Sequence, residues 1–167
     1  MKTPGRSTSL KLLGKGPGPV FSPLGLAGTV AYVAGALLVL WSAYIHFHLW
    51  GEPDGYRQIP TIGPLFLAQA IGGLFVGILI LAVRRVWVAV VGLGFAASTV
   101  IGFLLTVGLA KGLFNFKENW AVPFAGLAFA VEIAAAALLL VAGVLSFVRS
   151  ASTTRADSGP IGASSGA

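Results

Sequence analysis

Four long apolar stretches alternate with short polar segments along this chain. The stretches cover residues 24–47, 63–83, 86–110 and 121–148, and they hold 24, 21, 25 and 28 residues. A helix needs about 20 residues to cross the hydrocarbon core of a bilayer. Because backbone polar groups inside a bilayer must be satisfied within their own segment, each stretch predicts a transmembrane helix. The pattern therefore predicts an all-α membrane protein, a four-transmembrane-helix bundle.

The two ends of the chain differ from this apolar middle. Residues 1–23 and 149–167 are rich in Gly, Pro and Ser, a composition that cannot bury a core. We expect a disordered basic tail over 1–23, a transmembrane domain over 24–148 and a second disordered tail over 149–167. The first apolar stretch is longer than the core of a signal peptide, and no A-x-A-like site follows it, so we expect an uncleaved first span.

Composition supports a lipid-facing surface. The chain has 167 residues, of which 56% are hydrophobic and 10% charged, with a mean hydropathy of +0.90. A soluble domain usually has about 25% charged residues. The net charge of +6 comes from residues in the tails and at the ends of the apolar stretches, so we expect no nucleic-acid partner. The absence of cysteine excludes disulfides, thiolate ligands and cysteine nucleophiles.

The distribution of lysine and arginine predicts the orientation. With the N-terminus in the cytoplasm, eight basic residues lie inside, and only Arg57, Lys111 and Lys117 lie outside. Trp50 and Trp120 then fall at the outer interface, where aromatic side chains are common. We therefore expect a multi-pass protein of the cell (plasma or inner) membrane with both termini cytoplasmic.

Small side chains recur at four-residue intervals in the predicted spans. The second span has Gly73 and Gly77, and the third has Gly94, Ser98 and Gly102. Helices in lipid associate through close packing at such small residues. We expect these five residues to pack helices, and the stripe of the third span, which continues to Thr106, is the longest because it runs for three turns.

Glu132 is the one ionisable residue deep within a predicted span. It lies eleven residues after the start of its apolar stretch, a depth of about 16 Å. An ionised carboxylate there costs several kcal/mol, so Glu132 is protonated, paired or beside water. Two roles stay open, a titrating functional group and a neutral contact that sets helix register. The candidate partners or path-lining residues at similar depth are Gln69, Ser98, Thr99 and Thr106.

A second candidate site lies where the first span ends. His46 and His48 precede Glu52 and Asp54, an imidazole and carboxylate set that suits zinc or copper. Residues two apart in a continuous helix point about 200° apart, so this site requires the helix to end near His46. Otherwise the rings simply lie at the headgroup interface, and we expect no cofactor.

No catalytic pattern accompanies these candidates. The chain has no phosphate-binding loop, nucleophile elbow or H-E-x-x-H motif, and its glycine-rich segments lie inside apolar spans. The single acid within the spans leaves no carboxylate pair for acid–base chemistry. We therefore do not expect an enzyme.

Three segments together carry a resemblance. "SAYIHFHLW", "GYRQIPTIGPLFLAQA" and "FAVEIAAAALL" resemble segments of small four-span integral membrane proteins of high-GC bacteria, over roughly residues 24–148. In helix count the chain is also similar to the DoxX-like group, although no DoxX motif is matched. The resemblance implies a bacterial four-helix membrane protein, and it implies no activity and no site residue.

Three functions are compatible with the sequence. The first is an accessory or interaction subunit of a larger membrane complex, with a membrane-protein partner or a homo-oligomer. The second is a channel or carrier for protons or a small solute that uses Glu132, with Gln69 and Thr106 along its path. The third is an outward-facing metal-binding protein that uses the loop around His46 and His48.

Overall fold

The computed structural model describes residues 23–157 and is helical. Its helices are α1 Pro23–Gly51, α2 Ile62–Val83, α3 Val86–Gly108 and α4 Ala125–Asp157, with a short 3₁₀ helix at Tyr56–Gln58 between α1 and α2. Each of the four α-helices is long and apolar enough to cross a membrane. Within the described residues there is no β-strand. The prediction of an all-helical protein with four membrane-length helices is confirmed.

Both ends of the fourth helix differ from the prediction. The fourth helix begins at Ala125 rather than at residue 121, because Phe124 has a left-handed φ of 66° that a helix cannot accommodate. It then continues to Asp157, so the predicted tail from residue 149 begins as helix. The rest of that tail and residues 1–22 lie outside the described residues.

The helices form a bundle in which consecutive helices run in opposite directions. α1 packs along both α2 and α4, α3 packs along α4, and the contact between α2 and α3 is much less extensive. We call the end that carries segments 52–61 and 109–124 the loop end. The opposite end, with the start of α1, the turn at Arg84–Arg85 and the end of α4, is the terminal end.

Small residues allow close approach between the helices. A Cβ atom at Gly92 would lie 2.7 Å from the Ile80 side chain and 2.8 Å from that of Leu139, and both of those side chains are fully buried. On α2, a Cβ at Gly73 would lie 2.9 Å from the Cβ of Ala43. Such distances leave no room for a side chain, so these glycines determine how closely the helices pack.

The predicted stripe on α3 does not pack against another helix of this chain. A Cβ atom added at Gly94 or at Gly102 would have no neighbouring atom within 4 Å, and Ser98 is exposed. The prediction of a packing role within the bundle is therefore not met at these three residues. Positions two apart on a helix face opposite sides, and the buried side of α3 carries Gly92. Gly77, in contrast, lies against Leu40 of α1, as Gly73 lies against Ala43.

A tight turn shapes the loop between α3 and α4. Leu113 and Phe116 form an antiparallel bridge, and the two residues between them, Phe114 and Asn115, have φ values of 53° and 61°. Before the turn, Gly112 has a φ of 69°, and a Cβ there would collide with the carbonyl oxygen of Phe116. Only glycine fits at that position. The turn brings Phe114 and Phe116 back over the loop end of the bundle.

Candidate functional site

Glu132 lies in the contact between α4 and α1. Its side chain is 2% exposed, and it is roughly 10 Å along α4 from the first residue of that helix. Ser42 on α1 donates a hydrogen bond from Oγ to Glu132 Oε1 over 2.9 Å. One turn further along α1, His46 Nε2 lies 3.8 Å from the same oxygen, too far for a direct hydrogen bond.

The residues that contact Glu132 differ from the partners that the sequence predicted. α4 packs extensively against α1, so Glu132 meets Ser42 and His46 rather than polar residues of α2 or α3. The i, i+4 spacing of Ser42 and His46 places both on one face of α1. That spacing is a signal in the sequence, but nothing in it tells which helix the face contacts.

The tautomer of His46 follows from its other contact. Nδ1 lies 2.9 Å from the backbone carbonyl oxygen of Ser42, and a carbonyl can only accept, so Nδ1 carries a hydrogen and donates it. In a neutral ring Nε2 is then an acceptor, and it faces Glu132. One additional proton can therefore reside either on Nε2 or on the carboxyl, or be held between them by a water molecule.

A small cavity separates this pair from the loops. It has a volume of about 50 Å³, and its polar lining consists of His46, Glu132, Tyr56, Thr99 and Glu118. A water molecule needs roughly 10–15 Å³ of such space together with polar partners. The small cavity is thus large enough to hold water beside the carboxyl of Glu132.

Tyr56 and Glu118 join the two loops above the small cavity. The ring of Tyr56 stacks on Phe66 at 4.0 Å between centroids and meets the edge of Phe116 at 5.8 Å. Its hydroxyl donates a hydrogen bond to Glu118, whose side chain is 7% exposed and also accepts from the backbone N–H of Asn119. Burial raises the pKa of Tyr56, and the hydrogen bond to Glu118 and the charge of that carboxylate raise it further.

A larger pocket opens between α2 and α3 at the loop end. Its volume is about 340 Å³, within the size range of sites for small molecules. Its lining consists of His46, Ile62, Leu65, Phe66, Gln69, Ser98, Thr99, Gly102, Phe103, Thr106, Leu113, Phe114, Phe116 and Glu118. His46, Phe66, Thr99, Phe103 and Glu118 also line the small cavity, and so form the wall between the two spaces.

The predicted polar residues of α2 and α3 belong to this large pocket. Gln69 donates a hydrogen bond from Nε2 to the hydroxyl of Thr99 and so connects α2 with α3. Thr106 donates to the backbone carbonyls of Gly102 and Phe103. Gln69 and Thr106 therefore line a space that ends at His46, and neither contacts Glu132 directly.

The predicted metal ligands do not converge. α1 remains helical through Gly51, so His46 and His48 point to different sides of it. His48 Nε2 lies 3.0 Å from Glu52 Oε1 on the exposed surface, whereas His46 faces Glu132. Across residues 23–157, no group of three or more His, Asp or Glu side chains has an arrangement that could hold a metal ion.

Sequence reasoning did not assign Ser42 or Glu118 to the site. Glu118 lies in a polar loop, where an acid is normally solvated, and its burial depends on the turn at residues 113–116. Ser42 is the one serine of an apolar helix, and a serine within a helix usually bonds its own backbone. Both assignments required the relative placement of the helices.

Comparisons of the chain with protein-family models, with curated proteins and with solved structures found no match.

Proposed function

We propose that this protein is a membrane carrier that binds a small solute in the large pocket and couples binding to a proton on His46 and Glu132. The observation that supports this most directly is the position of His46. Its ring lines the large pocket, and its Nε2 lies 3.8 Å from the buried carboxyl of Glu132. An intramembrane acid beside a titratable ring and an accessible pocket is typical of proton-handling sites.

In this proposal the loop end faces the outside of a bacterial cell membrane, and both termini are cytoplasmic. The excess of lysine and arginine in the tails and at the turn between α2 and α3 supports that orientation. Solute and protons then enter the large pocket from the outer side.

A carrier is favoured over an open channel, because the path stops below Glu132. Toward the terminal end Val39, Ile80 and Leu139 are at most 1% exposed, and the space of about 220 Å³ between α3 and α4 there has an entirely apolar lining. A continuous path for protons or a polar solute would need polar groups there. Transport would therefore require the helices to change their packing, as in alternating access.

Only a few side chains face Glu132 and can influence its protonation. Ser42 and His46 face it from α1, and Tyr56 and Glu118 lie across the small cavity. The lining that α2 and α3 contribute to that cavity has no titratable group. The titratable group nearest to Glu132 is therefore His46, and Tyr56 and Glu118 follow across the small cavity.

Infrared difference spectroscopy of the full chain in lipid would test this function. We expect a carboxyl C=O band that changes between about pH 4 and pH 9, is absent from Glu132→Gln and persists in the control Glu52→Gln. Glu52 is an exposed acid of the loop end, so its loss leaves the buried pair intact. A band that persists in Glu132→Gln, or a Glu132 that never titrates in this range, would contradict the proposal.

A second function, an accessory subunit of a larger membrane complex, has a separate observation in its favour. Gly94, Ser98 and Gly102 form a small-residue stripe on the surface of α3, with open space beside both glycines. Such a stripe suits another transmembrane helix, from a partner or a second copy. Native mass spectrometry of gently extracted protein would show a heavier assembly that Gly94→Leu disrupts; a monomer in both cases would eliminate this function.

A further inference from the structure

We infer that the ligand of the large pocket is a lipophilic organic cation, an ammonium-type group attached to an apolar body. This inference rests on the proposed function, because it names the solute class of the same pocket. It follows from a count of hydrogen-bond donors, from the charges in the lining and from the aromatic walls.

The hydroxyl donors of the pocket are already engaged. Ser98 and Thr99 both donate to the backbone carbonyl of Phe95, and Thr106 donates to carbonyls one turn back on α3. Gln69 uses one N–H on Thr99. What these side chains still offer a ligand is mostly lone pairs on oxygen, which accept hydrogen bonds or face a positive charge.

The charged groups in the lining also favour a positively charged ligand. Glu118 lines the pocket and is 7% exposed, and the lining contains no lysine or arginine. A buried carboxylate strongly favours a cation nearby and disfavours an anion. An anionic lipid headgroup or a free phosphate would meet the carboxylate of Glu118, and the one titratable base in the lining, His46, already donates its Nδ1 hydrogen to the carbonyl of Ser42.

The remaining walls are aromatic and apolar. Phe66, Phe103, Phe114 and Phe116 all line the pocket. The faces of aromatic rings attract organic cations, most strongly where water is excluded. A small hydrated metal ion would lose its water shell against such walls, whereas an organic cation buries its apolar body there.

The route of entry also suits an amphipathic molecule. The pocket lies between α2 and α3, which pack less extensively than the other neighbouring helices, and Ser98 at its edge is exposed on the bundle surface. A lipophilic cation concentrated at the headgroup region can therefore reach it from the side.

Proton coupling follows from the place of His46 in the same wall. A cation bound beside His46 disfavours the protonated imidazole, so binding would expel one proton from the pair of His46 and Glu132. Release of the cation would allow that proton to return. One positive charge is then exchanged for another.

Competition binding would test the ligand class. The probe is radiolabelled phenyltrimethylammonium, bound to the full chain in lipid nanodiscs and measured by scintillation proximity. Unlabelled phenyltrimethylammonium should compete, whereas its neutral isostere tert-butylbenzene and the anion benzenesulfonate should compete at least about tenfold less well. Equal competition by the neutral compound or by the anion would overturn the inference.

Two variants and a control locate the binding. Glu118→Gln should weaken binding about tenfold, because the negative charge that attracts the cation is lost while the shape of the side chain is kept. Phe114→Leu should weaken it about threefold, since that side chain is exposed and contributes a ring face. Glu52→Gln should bind as the wild type does. Binding unchanged in both pocket variants would refute the assignment even if the cation binds elsewhere.

The proposed proton-handling function and the proposed ligand class can be refuted independently of each other. If the Glu132 infrared band titrates but the pocket shows no preference for the cation, the ligand class is wrong and the proton-handling function stands. If the cation binds with the expected dependence on Glu118 but Glu132 does not titrate, the proton coupling is wrong.

Discussion

The loop half and the terminal half of the bundle differ in how their helices meet. Toward the terminal end, Gly92 admits the side chains of Ile80 and Leu139, and the apolar core is closed. Toward the loop end, α2 and α3 separate around a pocket of about 340 Å³. The bundle therefore has its polar-lined pocket at the loop end and its closest helix packing toward the other end.

This difference bears on the position of Glu132. Glu132 sits at the boundary, with polar contacts to Ser42 and His46 on one side and with Ala135 and Leu139 next along its helix toward the core. A buried carboxyl is costly in a dry, apolar interior. At the boundary it gains a hydroxyl, a ring nitrogen and space for water. The comparison therefore predicts that volume changes matter most in the terminal half and that hydrogen-bonding changes matter most in the loop half.

The largest expected effect is the loss of close packing in the terminal half. Gly92→Leu would place a side chain where Ile80 and Leu139 already lie. We expect the free energy of unfolding to fall by about 2–3 kcal/mol, measured by denaturant titration in mixed micelles.

Gly94→Leu is the matched control for that variant. It makes the same change two residues away, where no atom lies within 4 Å of the added Cβ, and we expect a change within about 0.5 kcal/mol. If both variants lost stability equally, the distinction between a packed and an open face of α3 would be wrong.

The next effect concerns the cap of the loop half at alkaline pH. The pKa of Tyr56 is raised in the folded protein by burial and by Glu118, so above about pH 10 the unfolded chain loses this proton first. The unfolded state then binds fewer protons than the folded state, and stability falls as pH rises, by up to about 1.4 kcal/mol per pH unit. Tyr56→Phe lacks this contribution.

Unfolding measured from about pH 8 to pH 11 would check this prediction. The wild type should be more stable than Tyr56→Phe at the lower pH, because of the hydrogen bond to Glu118. The gap should narrow as the pH rises. Parallel pH profiles of the two proteins would show that Tyr56 titrates normally.

The smallest effect is the coupling between Ser42 and Glu132. A double-mutant cycle with Ser42→Ala and Glu132→Leu, which removes the acceptor oxygen, should give an interaction free energy of about 0.5–1 kcal/mol, typical of one hydrogen bond between transmembrane helices. Ser98→Ala, whose hydroxyl bonds only the backbone of its own helix, combined with Glu132→Leu should show no coupling. Equal coupling in both cycles would mean that the contact of α4 with α1 is wrong.

Much of the fold followed from the sequence alone, because the signals for it are local. The length and apolarity of each stretch indicate a spanning helix regardless of its neighbours. Glu132 was recognisable as a candidate for the same reason, since an acid in an apolar helix is unusual wherever that helix packs. The start of α4 was harder to predict, because the left-handed φ of Phe124 has no clear sequence signal.

The tertiary structure alone decided which residues form the site. Every span has several faces with small or polar residues, and their pairing depends on how each helix is rotated and which neighbour it meets. The observed rotations direct Glu132 toward Ser42 and His46 and leave Gly94 on the surface. The loop that carries Glu118 folds so that this side chain is buried against Tyr56. Four membrane-length helices and the acid within a span, Glu132, are identifiable from the sequence, because hydrophobic length and burial cost are local properties. The pocket, its acceptor-rich lining and the partner of that acid arise from contacts between distant segments, which only the packed bundle specifies.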